Sequence, residues 1–393
     1  MAGDVRELAP DELPAAWVLG SLAFGRQPGP PPASFLEDNA ATMRLGAFNA
    51  RGRLVAKATD RHYRQSYGGR WVEAAGVAGV AVVPEARTGG LARTVLAALI
   101  RSAHERGAAV SPLFPTVPAV YRASGWEVVG VRSSYRLPAL ALRQVPVSAG
   151  VGLSAAEESD GARIREIYRR IAQSTGGLLD RDGPLFEQSG SRLLEDVDGI
   201  TLATGATGDV EGYCSWTRGN GYDPGAQLTV SDLLALTPGA MAALLAMLGS
   251  WAPVTPTLVV RLLDADAISV PVPVLASEGE QRWMLRVLDA GRAVAQRGWP
   301  TGLRAAVDLD LVDPLVPEHA GSHRLVVEDG AGRWEPGGSG ALRLHVRALS
   351  ALYGGGVTAA ALHRAGLVDG DSAALGTLDL LFAGPRPQLL DYF

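Results

Sequence analysis

The feature that most constrains the fold is one continuous stretch, residues 77–93, with the pattern of a strand, a break, a turn and a helix. It opens with the apolar run Val-Ala-Gly-Val-Ala-Val-Val, which a proline closes at Pro84, and it continues through the glycine pair Gly89 and Gly90. Apolar residues then recur at helical spacing, at Leu91, Val95, Leu96, Leu99 and Ile100. This periodicity predicts an amphipathic helix whose apolar stripe packs on a sheet.

The turn between this strand and helix has the chemistry of an anion site. The first N–H groups of a helix have no partner within it, and the helix dipole adds partial positive charge there. Gly89 and Gly90 would let a bulky anion reach the backbone, and Arg87 offers a charged contact. No Gly-Lys-Ser/Thr follows, which excludes a Walker loop. An ordinary strand-to-helix turn has the same pattern, so both interpretations stay open here.

The order of predicted elements divides the chain into three domains. Residues 1–148 have strands, then a strand–helix–strand core, then a closing strand, which is typical of an α/β sheet. Two of the strands are expected at residues 71–74 and 77–83. Residues 149–284 repeat the plan, but their central turn, 236–240, reads Leu-Thr-Pro-Gly-Ala and lacks the arginine–glycine pattern. Residues 285–393 alternate strands and helices.

Composition limits the possible functions. Hydrophobic residues make up 47% and charged residues 20%, so the chain can bury large cores and is not disordered. The net charge of −5 argues against a nucleic-acid partner and favours a cationic substrate. Cys214 is the only cysteine, which excludes an internal disulfide and a cysteine zinc site.

Other signals are weak. The first residues have no apolar signal core, and the apolar helix at 241–248 is too short to span a bilayer, so we expect a cytoplasmic protein with no membrane partner. The six histidines form no HExxH pattern, and His319 with His323 lacks further ligands, so we expect no metal site. Ser111 and Ser322 lie in no nucleophile elbow.

The central stretch also resembles a known cofactor site. The pattern Arg87-x-x-Gly90-x-Ala92, after a strand ending Val-x-Val-x-Pro, resembles the acetyl-CoA pyrophosphate loop of GNAT-type N-acetyltransferases. Acetyl transfer to an amine needs a neutral amine and a proton donor for the leaving thiolate. Tyr121 is a candidate donor because it lies one strand and one turn beyond the loop. Most tyrosines are amphipathic core residues, so that alternative stays open.

Nearly the whole chain resembles the Eis (enhanced intracellular survival) family, a subset of these acetyltransferases. The resemblance extends to residues 284–298, to Arg-Ala-Leu-Ser-Ala-Leu-Tyr-Gly-Gly at 347–355 and to the aromatic C-terminus. It implies two tandem GNAT-like domains, the second degenerate, followed by a sterol-carrier-protein-like α+β domain. It also implies acetyl-CoA as co-substrate, a small-molecule amine as partner and assembly as a homo-hexamer.

The resemblance implies a role for particular residues. The general acid is Tyr121, and the general base is the C-terminal carboxylate of Phe393. A free terminus usually frays, but Leu-Leu-Asp-Tyr-Phe should pack its rings and hold its charge in place. The expected cofactor-binding residues are Val80, Val82, Arg87, Thr88, Gly89, Gly90, Leu91 and Thr116.

The substrate side departs from the family. The expected substrate residues are Phe24, Arg26, Phe35 and Asp391. Arg26 and Tyr392 stand where aminoglycoside-acetylating members have acids, and Gly79 replaces a bulky aromatic residue. These changes lower the attraction for a polycation, and Asp391 would partly restore it. The acceptor is therefore left as an aminoglycoside-like, polyamine or lysine amine. The alternative function is non-catalytic binding of an apolar ligand, such as a sterol or lipid, by the C-terminal domain.

Overall fold

The structure is a computed structural model, and it describes residues 4–25, 29–37, 39–146, 150–186, 194–222, 225–263, 268–269, 271–272 and 275–393. These residues form two compact units. The first unit contains the chain up to Gly130, Arg282–Pro387 and Phe393, and the second contains Val131–Gln281 and Gln388–Tyr392. None of the described helices is long and apolar enough to cross a membrane.

The N-terminal part of the first unit is a twisted sheet with helices. Its strands are β1 (Asp4–Glu7), β2 (Thr42–Phe48), β3 (Leu54–Tyr67), β4 (Arg70–Val82) and β5 (Val110–Leu113). Its helices are α1 (Leu13–Phe24), α2 (Ala33–Leu36), α3 (Leu91–Arg106) and α4 (Pro118–Arg122). Strands β1 to β4 pair antiparallel in sequence order, whereas β4 and β5 are parallel and are joined through α3.

Strand β4 corrects one prediction. The two strands expected at 71–74 and 77–83 are one continuous strand. Gly76 lies between the two expected segments and allows close packing, because a Cβ there would lie 2.5 Å from the ring of Tyr63 on β3. A glycine inside a strand therefore marks a close side-chain approach here rather than a turn.

Helix α3 confirms the predicted apolar stripe. All five residues that carried the prediction are buried, and four of them have no exposed surface. They form the core of this part of the unit with residues of β2, β3 and β4. The helix ends at Gly107, whose φ of +98° suits a glycine C-cap.

The middle of the chain repeats this plan in the second unit. Its elements are β6 (Glu127–Pro138), α5 (Ala139–Leu142), β7 (Gly152–Ala155), α6 (Gly161–Ser174), β8 (Gly199–Thr204), β9 (Val210–Arg218), β10 (Gln227–Ala235), α7 (Pro238–Gly249) and β11 (Thr257–Arg261). Strands β10 and β11 are parallel and joined through α7, as β4 and β5 are through α3. The strand neighbours run β6-β11-β10-β9-β8-β7.

The C-terminal part begins with a long strand and a second, five-stranded sheet. Its strands are β12 (Ala276–Val287), β13 (Ala305–Val312), β14 (Gly321–Glu328), β15 (Ala331–Pro336), β16 (Leu342–His345) and β17 (Val368–Gly370). Its helices are α8 (Ala290–Gln296), α9 (Val346–Gly354), α10 (Ala359–Arg364) and α11 (Ser372–Leu381). The sheet order is β15-β14-β13-β16-β17. Sequence reading missed β15, a short strand with alternating charged residues.

A buried ion pair fixes this C-terminal part within the first unit. Arg286 on β12 and Asp313 after β13 lie 2.8 Å apart, and neither side chain is exposed. His319 bonds the same carboxylate at 2.8 Å. Burial would raise the pKa of Asp313, but its hydrogen bond to His319 and its charge interactions lower it to about 2. A buried charge needs such partners, and this cluster provides them.

Candidate active site

A β-bulge interrupts β4 at Gly79. Lys57 on β3 pairs with Ala81, whereas Thr59 pairs with Ala78, so β4 carries one extra residue across this step. Gly79 has a φ of +59°, a left-handed conformation that residues with a Cβ rarely adopt. The glycine that replaces the family's aromatic residue is therefore also required by the backbone.

Just before the bulge, the pairing of β4 with its parallel neighbour β5 ends. Its register with β5 runs from Ala74 with Val110 to Val77 with Leu113, where β5 ends, while β4 continues to Val82. Backbone amide and carbonyl groups require partners. A ligand that carries amide groups can supply them along this part of β4, as an added strand would.

The turn after β4 opens α3 without a side-chain cap. Pro84–Gly89 form a 3₁₀ turn, and Gly90, with φ 75° and ψ 6°, directly precedes α3. A Cβ at Gly89 or Gly90 would meet no heavy atom within 4 Å, so the space in front of the turn is open. Thr88, Gly89 and Gly90 are exposed. The turn therefore fits a diphosphate, which would meet free N–H groups at the positive end of the helix.

Arg87, before the glycine pair, and Leu91, after it, have different environments. Arg87 is exposed, and its Nε donates to the carbonyl oxygen of Val82 at 3.4 Å, which holds the side chain beside the end of β4. Leu91 is buried in the core, so its side chain faces away from solvent and only its backbone can meet a ligand.

A cavity of about 490 Å³ adjoins the turn. Its lining residues are Phe48, Asn49, Arg53, Val55, Val83, Glu85, Ala86, Thr88, Gly89 and Leu91. One wall is the turn before α3, and the other is the β2–β3 connection, where the Asn49 side chain accepts hydrogen bonds from two backbone N–H groups. The turn thus borders a concave surface of the size that small-molecule sites have.

The corresponding turn in the second unit is closed. Thr237 Oγ1 accepts a hydrogen bond from Ala240 N at 3.2 Å and donates one to Glu211 Oε2 at 2.7 Å. A side chain therefore already satisfies the helix terminus, and a carboxylate stands beside it. Thr237 is thus the cap of α7, which agrees with a degenerate second domain.

Tyr121 lies in α4 and is 6% exposed. Its ring meets that of Trp126 edge to face at 6.2 Å, and Trp126 Nε1 donates to the Ser111 carbonyl at 2.9 Å. Val80 and Val82 pack against the same hydrophobic core that contains Tyr121. The position of Tyr121 suits a core residue, because the ring is buried, and it also suits a proton donor beside Val80 and Val82. Thr116 is exposed in the connection between β5 and α4.

The C-terminal ring is packed. Phe393 meets Tyr63 edge to face at 5.1 Å and Phe114 at 5.5 Å. A Cβ at Gly76 would come within 3.3 Å of the Phe393 ring, so that glycine also makes room for the terminus. The expectation of packed rings holds for Phe393, whereas Tyr392 is 61% exposed.

The tail before Phe393 is anchored in the second unit. Asp391 accepts from Arg181 Nη2 at 2.9 Å, and the other side of the same guanidinium binds Asp232 at 2.6 Å. Arg132 Nε donates to the Leu390 carbonyl at 2.8 Å. The carboxylate of Asp391, expected on the substrate side, is therefore already ion-paired. Its role toward a substrate stays a prediction.

The other expected substrate residues lie near α1 and α2. Phe24 is 46% exposed at the end of α1. Phe35 packs edge to face on Trp17 at 5.0 Å, and the Arg44 guanidinium lies 4.9 Å from its ring. Arg26 lies outside the described residues.

Sequence reading missed Lys57. Its Nζ lies 5.9 Å from the centre of the Phe35 ring, and it is 3.6 Å from the position that a Cβ on Gly79 would occupy. Lys57 is only 7% exposed, and burial, with a smaller effect of Arg44, lowers its pKa to about 8. The signal was available, because Lys57 is the only lysine of the chain.

No cluster of three or more His, Cys, Asp or Glu side chains in the described part of the chain is placed to hold a metal ion. His319, one of the two histidines considered from the sequence, uses both ring nitrogens structurally. Its Nε2 bonds Asp313, and its Nδ1 accepts from Ala290 N at 3.0 Å. Through these two hydrogen bonds, His319 holds two segments of the first unit together.

Family models match most of the chain. Residues 4–129 and 177–287 each match a model described as an acetyltransferase (GNAT) domain, and residues 290–390 match a sterol carrier protein domain. The predicted fold class, two GNAT domains followed by a sterol-carrier-like domain, is therefore confirmed.

Similar proteins define the class further. A solved GCN5-related N-acetyltransferase from Kribbella flavida is 30% identical over 100% of this chain and 99% of that one, with a TM-score of 0.86. Another from Anabaena variabilis has a TM-score of 0.88 at 22% identity, covering 99% of this chain and 100% of that one. An uncharacterized N-acetyltransferase from Streptomyces griseus is 29% identical over 344 residues, 80% of each chain.

The chain belongs to the GCN5-related N-acetyltransferase family. It is accordingly an acyltransferase, and the family implies acetyl-CoA as its co-substrate. The open turn before α3 and the parting of β4 from β5 fit that coenzyme, since they offer free backbone groups to a diphosphate and to an amide-bearing arm.

Proposed function

We propose that the chain transfers the acetyl group of acetyl-CoA to a primary amine by direct attack. The observation that carries the proposal is the contrast between two helix N-termini. Helix α3 begins at an uncapped, left-handed Gly90 in front of open space, whereas Thr237 caps α7. The N-terminus of α3 is thus available to an anion, whereas the Thr237 side chain occupies the N-terminus of α7. This contrast favours a single coenzyme site, in residues 4–129.

Within that site the coenzyme is assigned to backbone groups. The diphosphate is assigned to the turn 87–91, with Thr88 and Arg87 beside it, and the pantetheine arm to β4 at Val80 and Val82. Thr116, in the connection after β5, is assigned to the same ligand. Backbone contacts suit this turn because it offers open N–H groups and one arginine rather than a cluster of cations.

The proton transfers are assigned to two groups. The amine must lose a proton to attack, and the C-terminal carboxylate of Phe393 takes that proton, directly or through water. The Tyr121 hydroxyl gives a proton to the departing thiolate sulfur. Packing supports both roles, because the Phe393 ring is fixed by Tyr63 and Phe114 while the Tyr121 ring is fixed by Trp126.

The acceptor is proposed to be an amine of low positive charge. The region near Phe35 carries the cations Arg44 and Lys57, and Asp391 is already paired. Like charges disfavour a polycation. Among the aminoglycoside-like, polyamine and lysine amines considered, acceptors with few charges should therefore be the better substrates.

We also propose that the chain belongs to the Eis group of this family. A solved Eis1 from Mycobacterium abscessus shares the fold over 99% of this chain at 23% identity, with a TM-score of 0.80. Together with the aromatic terminus, this supports membership of the Eis group, domain boundaries at 1–148, 149–284 and 285–393, and a homo-hexamer. Light scattering of the purified chain tests the hexamer.

The match of residues 290–390 to a sterol carrier protein domain favours a second candidate, binding of an apolar ligand. The two functions differ in what they require of the chain end. Loss of acetyl transfer on blocking Phe393, with sterol binding unchanged, would separate them.

A coupled thiol-release assay tests the proposed transfer. Purified chain and acetyl-CoA are mixed with aminoglycosides, polyamines, lysine peptides and simple primary amines. The proposal expects thiol release that depends on at least one amine, and coenzyme binding measured by calorimetry. Absence of coenzyme binding together with absence of release would refute it.

A further inference from the structure

The chain has 36 lysine and arginine residues, and only Lys57 is a lysine. An arginine stays protonated in proteins, whereas a lysine loses its proton readily when it is buried. The one position at which this chain has a lysine is therefore the one basic side chain that can become a neutral amine. Its surroundings decide whether it does.

Lys57 is buried at the meeting point of three elements. A Cβ on Gly20 of α1 would lie 2.9 Å from its Nζ, and one on Gly79 of β4 would lie 3.6 Å away. The ring of Phe35 from α2 is 5.9 Å from the nitrogen. A glycine of α1 and a glycine of β4 thus border the nitrogen, and a side chain at Gly20 would crowd it.

Among the described residues, no hydrogen bond or ion pair joins the side-chain nitrogen of Lys57 to another group, and its one ring contact is with Phe35. A buried, unpaired ammonium is unfavourable, so burial favours the neutral amine. The pKa of about 8 leaves roughly a tenth of the side chains neutral at pH 7. A neutral primary amine is the nucleophile that acetyl transfer requires.

The strand register places this amine beside the expected path of the coenzyme. Lys57 pairs with Ala81, between Val80 and Val82, and its Nζ reaches back toward the bulge at Gly79. An arm that extends from the turn at Gly90 along Val82 and Val80 has its thioester nearest the bulge. The amine and the acyl group would then be neighbours.

We propose that Lys57 is itself an acetyl acceptor, modified by the coenzyme that binds along β4. The inference rests on the proposed coenzyme site. The neutral Nζ attacks the thioester carbonyl carbon, a C–N bond forms and the C–S bond breaks. The proton lost by the nitrogen is balanced by the proton that the leaving thiolate gains. The products are acetyl-lysine and free coenzyme thiol.

The modification would change the substrate side of the site. Acetylation removes one positive charge next to Phe35 and adds a small neutral group in the space beside Gly79. The acetylated chain should therefore accept cationic amines more readily than the unmodified chain. It would also release one coenzyme thiol per chain before any external amine is added.

The test uses the full chain with acetyl-CoA and no added amine. Because Lys57 is the only lysine, an acetyl amide on the protein can lie only there or at the N-terminus. Trypsin resolves the two, since it cuts after Lys57 unless that residue is acetylated, leaving residues 54–61 as one peptide. The inference expects that peptide to accumulate, and free coenzyme A to suppress it by competition.

Two controls make the result decisive. The urea-unfolded chain exposes the same lysine to acetyl-CoA without a site, so equal rates in folded and unfolded protein would overturn the inference. The variant K57R should fail to gain the mass while still binding coenzyme. Transfer to external amines without acetylation at Lys57 would overturn the inference and leave the proposed function standing, whereas failure of coenzyme binding would remove both.

Discussion

At the residue scale, the two adjacent glycines of the turn before α3 have different reasons to be glycine. Gly90 has a φ of +75°, where a Cβ is strained, whereas Gly89 has no positive φ. Neither would meet a protein atom within 4 Å if it carried a Cβ. Gly90 is therefore required by the backbone, and Gly89 only by whatever lies in front of the turn.

This difference predicts distinct effects of two alanine substitutions. Gly90→Ala should lower the free energy of unfolding by about 1 kcal/mol through backbone strain, whereas Gly89→Ala should leave it unchanged. Both should weaken coenzyme binding, because each places a methyl group between the ligand and the backbone. Urea unfolding and calorimetric titration measure the two effects. Unchanged coenzyme affinity in both variants would remove the turn from the site.

Tyr121 can be tested without disturbing its packing. Tyr121→Phe keeps the ring that meets Trp126 and removes only the hydroxyl. As the proposed general acid, the hydroxyl should be worth roughly 10² in kcat, with coenzyme affinity unchanged. Steady-state kinetics and binding are measured on the same preparation. A kcat equal to that of the wild type would leave Tyr121 as a core residue.

The residue scale also shows what sequence could not supply. Asp391 was expected to attract substrate, and in the structure it forms an ion pair with Arg181. The two residues are 210 positions apart in the chain, so no local sequence pattern could predict the ion pair. The sequence shows that Lys57 is the only lysine, but only the fold shows that it is buried next to Gly20. Long-range contacts decided both cases.

At the element scale, the strand–turn–helix unit was predictable because its signals are local. The apolar spacing fixed α3, and the glycine pair fixed the turn. The bulge at Gly79 and the single long strand β4 were not predictable, since both depend on how β3 pairs with β4. Register is a property of two strands and cannot be read from one.

The contact between β3 and the end of α3 gives a pH-dependent prediction. Burial raises the pKa of Asp60 to about 6, although Arg106 opposes the shift from 2.9 Å. The folded chain therefore keeps a proton on Asp60 that the unfolded chain loses above about pH 4, so the contribution of Asp60 to the free energy of unfolding falls as pH rises from 4 to 6. This contribution falls by about 3 kcal/mol. His62 beside it acts in the opposite direction, because its pKa is lowered to about 4, so the difference between wild type and an Asp60 variant isolates the carboxyl.

The variant Asp60→Asn lacks this titration. Its stability relative to the wild type should therefore improve between pH 4 and pH 6 and then stay level. Urea unfolding at each pH unit measures the difference. Arg106→Gln, which removes the opposing cation, should enlarge the effect in a chain that retains Asp60. A constant difference across this range would contradict the assigned cause.

The anchored tail gives a second prediction at this scale. Asp391→Asn removes one of the two charges that hold Arg181, while Asp232 remains to keep that guanidinium paired. The tail should loosen, and Phe393 lies only two residues further on. We expect a several-fold loss of kcat with little change in coenzyme affinity. Glu166→Gln, at an exposed pair with Arg169, is the matched control and should have no effect.

At the scale of the whole molecule, the fold brings distant segments of the chain into one unit. The first unit combines the N-terminal sheet with residues 282–387 and with Phe393. The Arg286–Asp313 pair and the Glu127–Arg347 pair hold these distant segments to each other. The sequence predicted the order of the elements and the fold class. Local patterns, however, do not indicate which distant segments share a core.

The proposed role of the Phe393 carboxylate has the most direct test. Three forms of the protein separate the charge of the carboxylate from the bulk of the ring: a chain that ends at Phe393, the same chain with a Phe393 amide, and a chain extended by a short Gly-Ser tail. The measurement is kcat for acetyl transfer, with coenzyme affinity measured alongside. We expect the amide and the extension both to lose roughly 10² or more in kcat while binding coenzyme normally. An amidated chain as active as the chain that ends at Phe393 would remove the carboxylate from the mechanism.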